Sequence, residues 1–417
     1  MKHLLAFFLV VALFGYCRER PHDNIFDPNN PARTMDIGLR VGGLDSTIVL
    51  DWNRPRDVDF LSYLIYRQQE GERSFRRIAQ LPVSQTRYVD SLILADVTYR
   101  YYLTLQGREK ESLPTEVKSS ITGPGHIWMI DGYFFEVQQI SYDMNQLNKR
   151  IFGIWLPENI AFHPGGKTAL ITYPLFNYVQ IVLLDTGEEL AFSNDFHRPY
   201  DAVFNTVSGR YWLTDSSGGF YSVDPRTLEF ETLSTVPRKA TQIRPMGDRF
   251  VITDKGIRGL WLFSATGEML QRIPKAPDAF IEDILTVRTD SLHNRIYILS
   301  RRPGNSKIYR YDVAGDSLSL FFADSLINAF DLDPVRQTVW VARATPGSFE
   351  ILKLSLNGQR LDSVSGINWP VDIAVNRYNH HIVVADPKSR ELIHFKEDLQ
   401  EIGRFKSNGE PVKVYIE

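Results

Sequence analysis

Residues 369–405 read WPVDIAVNRYNHHIVVADPKSRELIHFKEDLQEIGRF. The stretch divides into four short strand-like runs, PVDIAV, HIVVAD, ELIHF and EIGRF, separated by turn residues. The same four-part text recurs upstream, starting at Leu156, Arg198, Arg238, Ala279 and Ile327. Its period of about 40–47 residues is that of a four-stranded propeller blade. Six full repeats follow from this count. The two ends supply a seventh: HIWMIDG, FFEVQQISYD and NKRIFG, within 126–153, supply three strands without a first, and the C-terminal PVKVYI matches PVDIAV. Closing a ring in this way removes two exposed sheet edges. The expectation is an all-β chain whose residues 123–417 form a seven-bladed β-propeller with C-terminal strand closure, or six blades if 279–326 is not a full repeat.

The unit PVDIAV, HIVVAD, ELIHF resembles the repeats of NHL-repeat and YncE-like propellers. The Arg-Ile strand of the NHL family is poorly kept, so the resemblance implies the architecture and no particular subfamily.

Residues 37–122 carry a different pattern. STIVLDWNRP, LSYLIYRQQ, FRRIAQL and TYRYYLTLQ alternate apolar and polar residues with period two over short runs, the pattern of a sandwich. LDWNRP, YLIYR, TYRYY and ESLPT resemble the corresponding strands of a fibronectin type III domain. That resemblance makes Trp52, Tyr99 and Tyr101 core residues.

The N-terminus, MKHLLAFFLVVALFGY, has an apolar run of 11 residues from Leu4 to Phe14. It is too short to span a bilayer and suits a secretory signal peptide, residues 1–16. Cys17 follows and is the only cysteine, so no internal disulfide is possible. LFGYC resembles the lipobox of bacterial lipoproteins, which implies lipid attachment at Cys17, although Tyr16 stands where that family has Gly, Ala or Ser. The resemblance implies a lipid-anchored protein of the bacterial cell envelope, at the outer membrane since Arg18 and no Asp follows the cysteine; without the anchor the expectation is a periplasmic or secreted protein. Residues 17–36 read as the lipidated cysteine and a flexible tether.

Net charge is −3 with a pI near 6.3, which argues against nucleic acid as a partner. No HExxH, Gly-x-Ser-x-Gly, Walker or dinucleotide motif occurs, so no cofactor, metal or catalytic residue is assigned. His380 and His381 fall in a tight turn and are expected to be solvated.

Repeat architecture localises any site to the face where first strands begin and second strands end. The candidates there are Arg198, Tyr200, Asp201, Arg238, Trp369 and Asp372. Further positions on the same rings are Glu158, Asn159, Phe280, Arg301, Asn328, Arg343 and Glu410. The Asp that ends LTD, ITD and VAD is read as a turn cap, because a short carboxylate accepts backbone N–H bonds. Without a catalytic constellation, the expected function is a non-catalytic binding or scaffold protein that engages a peptide, glycan or protein. The alternative is a lactonase- or lyase-type propeller enzyme acting at the channel mouth.

Overall fold

A computed structural model describes residues 22–417 apart from 45, 276–280, 303 and 346. Residues 1–16, read as a signal peptide, together with Cys17 and Phe280 lie outside the described residues. The chain divides into two compact units, which meet in sequence near residue 122. Among the described residues, regular structure is all strand apart from one 3-10 turn, Pro174–Phe176.

In the first unit the strands Thr47–Asp51 and Arg87–Asp90, with Arg40 and Val41, face a four-stranded sheet. The latter runs Arg76–Pro82, Ser62–Gln69, Thr98–Gln106, Lys118–Ile121. Alternate residues of both sheets, among them Ile48, Leu50, Tyr63, Ile65, Tyr101 and Leu103, share one core with Trp52. Inside the unit, Arg67 pairs with Asp90 at 2.8 Å, and the Tyr101 hydroxyl donates to the same carboxylate at 3.0 Å.

The tether expectation is corrected from His22 onward. Residues 22–36 run through successive turns onto this unit. Met35 and Ile37 are in its core, and Ile25 and Phe26 are packed against it. Leu113 N–H donates to Ile25 O, and Met35 N–H to Pro114 O. Four apolar side chains in a stretch rich in Pro and Asn are enough to hold turns against a core without forming a strand.

The second unit contains seven four-stranded antiparallel sheets among its described residues. Sheet 1 joins the two ends of the unit. Its innermost strand is the C-terminal Pro411–Ile416, paired with Ile127–Asp131 in the register Pro411 to Asp131 and Ile416 to Ile127. The innermost strands of sheets 2 to 7 are Asn159–Phe162, Pro199–Asn205, Ala240–Met246, Ile284–Asp290, Ile327–Asp333 and Asp372–Val375.

Successive sheets stack through their second strands. Period-two alternation sends neighbouring side chains to opposite faces. In YWL of sheet 3, Tyr211 and Leu213 join sheet 2, whereas Trp212 packs with Phe250 and Ile252 of sheet 4. In sheet 4, Val251 turns the other way, to Ile296 and Ile298 of sheet 5. Each second strand is therefore apolar on both faces, which is why it reads as a continuous hydrophobic run rather than an alternating one.

Candidate functional site

The innermost strands of the seven sheets line one channel with a volume of about 710 Å³. Its wall carries five basic side chains, Arg244, Arg288, Arg301, Arg377 and Lys413, and five acidic ones, Glu158, Asp201, Asp331, Asp372 and Glu417.

These groups are largely committed to one another, and each sheet is tied to the next by a side chain. Thr172 Oγ1 donates to Tyr200 O at 3.1 Å, from sheet 2 to sheet 3. Asp201 accepts Ile243 N–H at 3.1 Å and Arg244 Nη1 at 2.5 Å, from sheet 3 to sheet 4. Gln242 donates to Leu285 O and accepts Val287 N–H, at 2.9 and 3.0 Å. Arg288 Nε donates to Asp331 at 3.0 Å, and the other Asp331 oxygen accepts Val375 N–H at 2.9 Å. Asp372 accepts Val414 N–H at 3.0 Å. Lys413 donates to the Glu158 carboxylate at 2.6 Å and completes the circuit.

A local irregularity explains how these polar groups reach the channel. Five innermost strands slip register against their second strand, between Pro199 and Asp201, Ala240 and Ile243, Ile284 and Thr286, Ile327 and Ala329, and Pro411 and Lys413. A bulge leaves residues unpaired and re-aims a side chain. Here the slips fall at the channel end of each strand.

Burial pushes the Asp201 and Asp372 carboxyls above the ordinary carboxylate range, opposed by Arg244 at the first and Arg288 at the second. Burial and the neighbouring Glu158 raise the Tyr200 phenol. Tyr200 is thus a neutral hydroxyl at the mouth. Asn159, at the same wall, keeps a buried Oδ1 without a hydrogen-bond partner among the described residues.

The six residues singled out from the sequence separate into two sets. Tyr200, Asp201 and Asp372 line the channel. Arg198 and Arg238 are exposed on loops between sheets, and neither is part of the channel wall. Trp369 is half-buried and lies 5.7 Å from the Phe349 ring. Of the further ring positions, Glu158, Asn159, Arg301 and Asn328 line the channel, whereas Arg343 pairs with Asp324 and Glu350.

Arg244, Arg288, Asp331 and Lys413 were not singled out. The available signal was a charged residue inside an otherwise apolar first strand, as in TQIRP and LTVRT.

The Asp that closes the second strands of sheets 3, 4 and 7 caps its turn. Asp215 accepts Ser217 and Gly219 N–H. Asp254 accepts Gly256, Arg238 and Lys239 N–H and Trp261 Nε1–H, at 2.8–3.0 Å. Asp386 accepts Asn368 and Ser389 N–H. These carboxylates hold the loops of the mouth in place and are fully buried.

His381 is not solvated. It is buried and stands 2.8 Å from the Tyr142 hydroxyl and 3.3 Å from His394 Nε2. His380 stands 2.7 Å from Asp333. His381 and His394 cross the seam between sheets 7 and 1, and His380 reaches back to sheet 6.

No protein-family model matches the chain, and no curated protein matches it in sequence. Solved structures do resemble it. A functionally unknown protein from Desulfotomaculum acetoxidans has a TM-score of 0.53 at 13% identity, covering 70% of this chain and 98% of its own. Hydrazine synthase from Kuenenia stuttgartiensis has a TM-score of 0.53 at 10% identity, covering 72% and 93%. AztD from Citrobacter koseri has a TM-score of 0.50 at 14% identity, covering 70% and 96%. At these identities the likeness concerns the fold alone: the chain contains a β-propeller.

Proposed function

We propose that the protein is a non-catalytic binding or scaffold protein of the bacterial envelope, anchored by lipid at Cys17. Its seven sheets are the blades of one propeller closed by the C-terminal strand, and its first unit is a fibronectin type III-like spacer. The propeller face around the channel mouth engages a peptide, glycan or protein partner. The observation that carries this reading is the circuit of side-chain bonds around the channel. Asp201 and Asp372, the carboxylates best placed for chemistry, each accept backbone N–H bonds from the next blade. They are occupied as braces.

Propeller neighbours that include a protein of unknown function are consistent with a binding role. A panel of hydrolase and lyase substrates is expected to give no turnover with the purified protein. Robust turnover that disappears in Asp201→Asn or Asp372→Asn overturns the reading. The unpartnered, buried Asn159 Oδ1 is the observation that favours the alternative, a lactonase- or lyase-type enzyme working at the channel mouth.

The anchor has a separate test. Wild-type protein is expected to incorporate labelled palmitate and fractionate with the outer membrane, and Cys17→Ser to lose both. A Cys17→Ser variant that stays with membranes, alongside unlabelled wild type, contradicts it.

A further inference from the structure

Three loops of the mouth face carry large apolar side chains. The turn between the second and third strands of sheet 1 presents Tyr133 and Phe134, 60% and 47% exposed. The connection from sheet 1 to sheet 2 presents Ile154 and Trp155, and the turn at Pro174–Phe176 presents Leu175 and Phe176. The rings knit together: Phe135 stacks on Trp155 at 4.6 Å, and Trp155 meets Phe176 at 5.7 Å. Exposed apolar clusters of this size mark interaction sites on soluble domains.

The cluster is continuous with a cationic sector. Asn177 closes the third loop in the left-handed conformation, φ 54°, and its Oδ1 accepts Arg198 N–H at 2.9 Å. Beyond Arg198 the same face presents Arg238, Lys239 and Lys255, all exposed and without an ion-pair partner among the described residues. Lys255 opens onto a groove of about 410 Å³ that also holds Arg258, Arg301 and Arg302, with Glu282 and Asp283.

We infer that this track, from the aromatic knot past Arg198 and Arg238 to the groove at Lys255, docks an extended acidic polypeptide segment carrying an apolar anchor. The inference rests on the binding reading above and names its partner's chemistry. Aromatic and arginine side chains together are the composition of interface hot spots, and an unpaired cationic sector steers and orients an acidic partner. A bilayer is disfavoured by layout. An exposed carboxylate, Asp195, stands three residues before Arg198, and a concave polar groove has no use against a flat lipid surface.

The test is selection of a random peptide library, displayed on phage, against the purified full chain. Enriched peptides are expected to combine Asp and Glu with a Leu, Phe or Trp anchor. Their affinity is expected to fall about tenfold or more in Phe134→Ser with Leu175→Ser, and in Arg198→Glu with Arg238→Glu, and to weaken with salt. These positions are exposed, so folding is spared. Enriched peptides that ignore both pairs but respond to Tyr200→Ala overturn this inference and leave the binding reading standing. No enrichment at all overturns both. Binding to phosphatidylglycerol vesicles that the apolar pair abolishes, with no acidic peptides selected, overturns it in favour of a membrane.

Discussion

Lys413, on the last strand of the chain, donates to the carboxylate of Glu158, which immediately precedes the innermost strand of sheet 2. The residues are 255 positions apart, and their bond is the link where the circuit of inter-sheet contacts closes on itself. The pair is partly exposed, at 36% and 30%. It therefore marks closure more than it supplies it.

That distinction gives the first prediction. Lys413→Met is expected to cost about 1 kcal/mol, as for other solvent-accessible pairs. Removal of 411–417 is expected to cost far more, because it unpairs the whole edge of Ile127–Asp131 and exposes a template for association. Urea unfolding and size-exclusion chromatography check both. A truncated chain that stays monomeric and unfolds like wild type contradicts closure.

Buried carboxylates in the wall are expected to be structural first. Asp201→Ala leaves the Arg244 charge and the Ile243 N–H without their partner and is expected to cost about 3 kcal/mol. Asp201→Asn, which keeps an acceptor, is expected to cost less. Equilibrium unfolding of the two variants decides the order.

The turn caps give a sharper contrast within one loop. Asp254→Ala removes one acceptor for four donors and is expected to destabilise by about 3 kcal/mol. Arg238→Ala, whose exposed side chain is not part of that cap, is expected to stay within about 0.5 kcal/mol of wild type while weakening partner binding. Equal losses of stability in both contradict the division between brace and contact.

The histidine seam predicts a pH dependence. Burial, and then the neighbouring His381, depress the His394 imidazole to about 3, against a bond to Tyr142 O that favours its charge. Between about pH 3 and pH 6.5 the unfolded chain binds a proton here that the folded chain does not. Stability from this site is therefore complete above about pH 6.5 and lost as pH falls toward 3, on the order of 5 kcal/mol in total. The facing groups are His381, Tyr142 and Asn379. The stability difference between wild type and His394→Gln, followed by urea unfolding, is expected to grow as pH rises through that window. A difference flat in pH contradicts the buried neutral histidine.

The repeat was legible in the sequence because the second strands are apolar on both faces and those of sheets 3, 4 and 7 end at an Asp-capped turn, so IVVAD and YWLTD recur with their context. Tyr200, Asp201 and Asp372 were legible as channel residues because the repeat fixes where first strands begin. Arg244, Arg288 and Asp331 were not. Which residue faces the channel depends on where the strand slips against its partner, and a slip is a property of pairing, invisible in one strand alone. Arg198 and Arg238 lie on the mouth face but outside the wall: they stand just before the strands, on loops held by Asn177 and Asp254. His381 defeated a local rule. A histidine in a tight turn reads as solvated until the neighbouring sheet, distant in sequence, covers it.

The mouth face is proposed to engage a partner. Site-specific photocrosslinking in cells tests it most directly, with a photoreactive residue placed in turn at Tyr200 and at Val207. Tyr200 sits at the start of the strand Pro199–Asn205 and Val207 in the turn beyond its other end, separated by on the order of 20 Å, and Val207 is exposed. A discrete adduct from position 200 and none from 207 is the predicted result. Adducts confined to 207, or equal from both, contradict it.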